Sequence, residues 1–93
     1  VIEVDRWEGV IRAKDLQMNA VVYYQAPSNE YLGEWYGTGI SEKYWPIEQK
    51  QFETNIGTII ITHQTIESDE YFIEFQGSGE PKGSLAIKIG LVK

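Results

Sequence analysis

Cysteine is absent, which excludes disulfides, thiol catalysis, iron–sulfur clusters and cysteine-ligated zinc, so the fold must hold by packing alone. Proline occurs three times and methionine once, and the apolar runs are only a few residues long. Nothing resembles a membrane span or a signal peptide. The sequence begins at Val1 rather than Met, which suits removal of a leader or upstream segment. Basic residues are also scarce: 8 Lys and Arg stand against 14 Asp and Glu, a formal net charge of −6. Without a basic stripe to neutralise phosphates, binding to nucleic acid is not expected. The acids are spread along the chain, which suits solubility better than mimicry of DNA.

Histidine is scarcer still. His63 has no companion histidine, and triads need a base beside an activated nucleophile while metal sites need several ligands. It reads as a surface or strand-end residue. No Gly-x-Ser-x-Gly, phosphate loop or dinucleotide fingerprint occurs. The Gly77–Gly83 stretch lacks the Lys-Ser/Thr pair and following helix that a phosphate cradle needs, and reads as a turn. Glu67, Ser68, Asp69 and Glu70 offer oxygen ligands for a hard cation, but match no EF-hand spacing and read as a solvated hairpin tip. No enzyme activity, metal or cofactor is expected.

What the chain does have is β-sheet patterning. It is 93 residues long, 42% apolar and 24% charged, the composition of one globular domain spanning residues 1–93. The organising stretch is Gly57–Gly77, where two runs rich in β-branched and aromatic residues flank the polar stretch Thr65–Asp69, the pattern of a hairpin. Tyr71, Ile73 and Phe75 alternate with Phe72, Glu74 and Gln76, and Ile59 and Ile61 are placed inward on the partner strand. Upstream, Trp7, Gly9, Ile11 and Ala13 share one face of a first strand. A second strand, Met18–Gln25, carries the continuous run Ala20-Val21-Val22-Tyr23-Tyr24, which predicts cover on both faces. Pro27, Ser28 and Asn29 stop it, and Gly33–Ile40 is a third strand.

Ser41–Asn55 admits two readings. One is helical near residues 42–52, with a capped turn at Ser41–Tyr44 and a short helix that has Pro46 at its first position and runs through Phe52; the other is loop plus irregular strand. Ile47 and Phe52 stand five apart, a poor helical period that favours the second. The chain is expected to close with a strand over Ser84–Val92, with Leu85, Ile87, Ile89 and Leu91 inward. The fold class is therefore all-β: a small, mostly antiparallel barrel or sandwich of six to seven strands.

An aromatic-x-Gly echo recurs at Trp7-Glu8-Gly9, Trp35-Tyr36-Gly37 and Phe75-Gln76-Gly77. Glycine lets a strand bend and a neighbouring ring can cover the bare backbone, so these are candidate curling sites. Tyr31, Trp35, Tyr36, Tyr44 and Trp45 fall within 15 turn-prone residues. Rings on loops give large contact area with few rotors, which makes these five the candidate partner-binding residues, unless the tryptophans are needed to fill the core. The reading is a non-enzymatic protein-interaction module, such as an inhibitor, adaptor or accessory domain of a bacterial or phage protein. The alternative is a small-ligand or carbohydrate-binding barrel, which demands an open interior or a flat row of exposed rings.

Overall fold

The computed structural model of the chain describes residues 4–25 and 34–90. Six strands, β1 (Val4–Ala13), β2 (Leu16–Gln25), β3 (Glu34–Ser41), β4 (Phe52–Thr54), β5 (Gly57–Glu67) and β6 (Glu70–Ser78), precede one helix, α1 (Gly83–Lys88). All strand pairs are antiparallel, in the order β1-β2-β3-β6-β5-β4. The sheet curls into a half-barrel whose two edges meet at the β4–β5 turn. There the Asn55 N–H donates to the Arg12 carbonyl (3.2 Å), Asn55 Oδ1 accepts from the Arg12 N–H (2.6 Å), and Asn55 Nδ2 donates to the Val10 carbonyl (2.9 Å). One asparagine thus ties the turn to β1, which among the described residues pairs in the sheet only with β2.

The expected hairpin is present. Its strands run further than the sequence pattern suggests and meet at a two-residue turn, Ser68 and Asp69, both at positive φ (52° and 64°). Two left-handed residues in succession match the twist of the flanking strands, a geometry that short polar residues tolerate. A bulge at Thr62 breaks the register between Ile61 and His63. The alternation shifts by one residue, so Ile59 and Ile61 face inward before the bulge and Gln64 faces inward after it. His63 consequently lies outward in mid-strand rather than at a strand end.

The concave face is lined by small residues opposite large ones. Trp35 stands across from Gly77, and Gly37 across from Phe75, because two aromatic-x-Gly segments run antiparallel in register. A methyl at Gly77 would fall on the Trp35 indole, and one at Gly37 would meet the Val21 carbonyl and come within 2.9 Å of Phe75 Cζ. Neither glycine has a positive φ. A ring covers the bare backbone at both positions, as the aromatic-x-Gly reading expects, and at Gly37 the Val21 carbonyl excludes a side chain as well. Trp7, Ile11, Met18, Val22, Ile59, Ile73 and Phe75 complete this face, all buried.

Trp45 and Phe52 close one flank of the core, their rings edge-to-face at 5.1 Å. The 42–51 segment that carries Trp45 contains no helix; it is a loop with a turn at Pro46–Gln49, leading into the short β4. It is held because the bulge directs Gln64 inward: Gln64 Oε1 accepts from the Trp45 N–H (3.0 Å) and Gln64 Nε2 donates to the Trp45 carbonyl (2.8 Å). The short helix lies instead at Gly83–Lys88, where a strand was expected. The chain leaves β6 through Gly79 at φ +76° and is tied by the Lys82 N–H to the Ile56 carbonyl (2.9 Å). It therefore plugs the end of the half-barrel rather than running along a sheet edge. Leu85 and Ala86 are buried and Ile89 half-buried, a helical spacing, while Ile87 is 64% exposed and so is no core residue. Leu91 lies outside the described residues.

Candidate functional site

Of the five candidate aromatics, two are interior. Trp35 is 3% exposed and its indole N–H donates to the Gly79 carbonyl (2.9 Å). Trp45 is fully buried, with its indole N–H on Ser41 Oγ (3.1 Å). Both satisfy their polar atom inside the fold, as core tryptophans must. Tyr36 and Tyr44 are exposed, but Tyr36 lies near the start of β3 and Tyr44 in the loop beyond its end, Tyr36 beside Tyr23 (ring centroids 5.9 Å) and Tyr44 beside Tyr71 (5.7 Å). Seven residues separate them, and the five strand steps from Tyr36 to Ser41 alone span about 16 Å at about 3.3 Å each, so they form no single patch. Tyr31 lies outside the described residues.

The structure instead assembles a different surface. Strand register sets the outward side chains of β1, β2, β3, β6 and β5 in rows that run across the sheet. One row is Arg6, Tyr23, Tyr36, Gln76 and Ile60. The next is Glu8, Val21, Thr38, Glu74 and His63; the third is Val10, Asn19, Ile40, Phe72 and Thr65. The bulge at Thr62 matters here too, because it turns His63 and Thr65 outward into the second and third rows.

A groove of about 780 Å³ lies over the second and third rows and spans all five strands. Its apolar floor is Val10, Val21, Ile40 and Phe72; Glu8, Glu74 and His63 are its titratable side chains. A smaller concavity of about 440 Å³ continues from Thr38 and Glu74 to Tyr23, Tyr36 and Glu34. Arg6 sits at the margin, where the Tyr23 hydroxyl and then the Glu8 carboxylate raise its guanidinium pKa above the usual arginine range. No arginine or lysine lines either concavity.

His63 pairs across the strands with Glu74, and no serine or threonine donates to it among the described residues. No three acidic or histidine side chains converge among the described residues, the Glu67–Glu70 tip included. Phe72, Ile40 and Val10 were not singled out by sequence reasoning. The available signal was the apolar run Ala20–Tyr24: burial alternates along β2, with Met18, Ala20 and Val22 inside while Val21 and Tyr23 stay half-exposed outside. Among the described residues, the cover that this run predicts on both faces is supplied on one face only.

The architecture is an all-β, antiparallel half-barrel with one short helix. No protein-family model, curated protein or solved structure matches this chain.

Proposed function

We propose that this domain is a non-enzymatic protein-interaction module whose contact surface is the outward face of strands β1, β2, β3, β6 and β5. The observation that carries the reading is the uncovered outer row of β2 and its neighbours, where Val21, Ile40 and Phe72 line a groove that no element of the described chain packs over. Apolar side chains gathered in a concavity with a polar rim are how interaction surfaces are commonly built. The candidate tyrosines divide accordingly: Tyr36 extends the surface through its pair with Tyr23, and Tyr44 stands apart from it. Trp35 and Trp45 act only by holding the sheet beneath. An inhibitor, adaptor or accessory domain would use such a face without chemistry of its own.

A small-ligand barrel is less well supported, because Trp7, Trp35, Met18, Phe75 and Leu85 occupy the concave side that a barrel-enclosed ligand would need. The test is a selection of phage-displayed peptides on the immobilised domain. Selected binders are then scored on an Ile40→Asp, Phe72→Asp variant and on an Ile47→Asp, Ile87→Asp variant, which alters other exposed apolar residues away from the groove. Binders should be lost on the first and kept on the second, with both variants melting near wild type. Retention on the first variant would remove the outer face from consideration.

A further inference from the structure

We propose that the groove takes a basic amphipathic α-helix of a partner protein, laid across the strands; this rests on the outer face being the interaction surface. Three observations lead there. The backbone of β2, β3 and β6 is hydrogen-bonded to a neighbouring strand on both sides, so the floor offers side chains and no free peptide groups. An extended segment buried there would leave its own N–H and C=O groups without partners, whereas a helix satisfies them internally.

The dimensions agree. Four strand spacings of about 4.8 Å make a groove about 19 Å long, matched by about 13 helical residues at 1.5 Å each. The second and third rows lie about 7 Å apart, which a helix about 10 Å across can straddle. Charge then selects the partner. Glu8 and Glu74 stand in the same row, three strands or about 14 Å apart, and Glu34 continues the acidic side beyond Tyr36. Among the described residues Glu74 has no ion pair, and Glu8 has only Arg6. Cationic side chains two to three helical turns apart on one flank, beside an apolar stripe meeting Val21, Ile40 and Phe72, complete the match. A second copy of this chain would set Glu8 and Glu74 against the same carboxylates, which is repulsive.

The experiment is fluorescence anisotropy with a labelled 18-residue Leu–Lys amphipathic helix at physiological ionic strength. Leu–Gln and Leu–Glu helices of the same pattern serve as comparators. The proteins are wild type, Glu8→Gln with Glu74→Gln, and Glu48→Gln with Glu80→Gln, which removes the same net charge away from the groove. The Leu–Lys helix should bind wild type most tightly, and the groove pair should weaken it about tenfold. The distant pair should change it less than about twofold, because exposed charges beyond a Debye length are screened. Equal effects from the two pairs would mean that net charge alone attracts the peptide, and would overturn the proposal. If the Leu–Gln helix binds as tightly, and both helices are lost on an Ile40→Ser, Phe72→Ser variant, the interaction face stands and the basic selectivity falls. A wild-type dimer by sedimentation that dissociates on the same Ile40 and Phe72 changes would assign the groove to a second copy, against the proposal.

Discussion

Adding one methyl at Gly77 should destabilise the domain far more than an ordinary glycine-to-alanine change in a strand. The new Cβ would lie on Trp35, overlapping Cε2, Cδ2 and Nε1 of the indole. Restoring an ordinary carbon–carbon separation of about 3.5 Å requires the ring to retreat roughly 1.5 Å. It has nowhere to go, since it is buried, packed also on Gly57, and fixed by its N–H bond to the Gly79 carbonyl. Overpacking of this kind costs about 1–3 kcal/mol, and a buried donor pulled off its acceptor about 1–3 kcal/mol more, so Gly77→Ala should lose about 2–6 kcal/mol. For a domain of this size that lowers the melting temperature by roughly 10 °C or more. Urea unfolding of Gly77→Ala, Trp35→Leu and the double variant gives the decisive cycle. The smaller leucine side chain in place of the indole should accommodate the methyl, so the double variant should be more stable than the sum of the single losses by about 1 kcal/mol or more. Gly79→Ala is the control, with open space around it and a positive φ of 76°, and should lose only about 1 kcal/mol. A near-neutral Gly77→Ala, or an additive cycle, would refute the packing account of the aromatic–glycine pairs.

Asn55→Ala removes both side-chain bonds that hold the β4–β5 turn to β1, and should cost about 1–3 kcal/mol in urea unfolding with faster amide exchange at Arg12. Leu85→Ala should cost about 2–5 kcal/mol because it empties a buried site under α1, whereas Ile87→Ser should stay within about 0.5 kcal/mol. The reverse order would return the segment to a strand with Ile87 inward. Chelator should leave the melting temperature unchanged; a clear fall would reveal an ion bound to the folded state alone, with the Glu67–Glu70 tip the first place to look.

The sheet was legible wherever a strand alternates without interruption. In β1 and β6 the residues Trp7, Ile11, Ile73 and Phe75 fall inward as their spacing dictates, and the Ser68–Asp69 hairpin follows from two such runs meeting at a polar pair. The same rule misplaced Ile87, because Leu85, Ile87 and Ile89 satisfy a period of two while Leu85, Ala86 and Ile89 satisfy a helix. Alanine and Gly83 carry too little hydropathy to decide between the periods. Only the tether at Lys82, set by a distant turn, directs the segment to the end of the barrel. The bulge at Thr62 was equally hidden, since one extra residue leaves no compositional mark, yet it sets the directions of both His63 and Gln64. The candidate site was half legible. Density of rings in residues 31–45 marked a real demand for large side chains, but Trp35 and Trp45 meet it inside, the first of them opposite a glycine that only the register identifies. The outer groove needs five strands in a particular order, and the β3–β6 pairing that brings Ile40 beside Phe72 joins residues far apart in the sequence.

The claim that binding belongs to the outer face is tested most directly by amide chemical-shift mapping of the isotopically labelled domain titrated with the Leu–Lys helix. The shifts should concentrate at Val10, Val21, Thr38, Ile40, Phe72 and Glu74, outward positions on four neighbouring strands, and spare Tyr44, Ile47 and α1. Shifts confined to the 42–51 loop and α1, with the outer rows of β2, β3 and β6 silent, would contradict it.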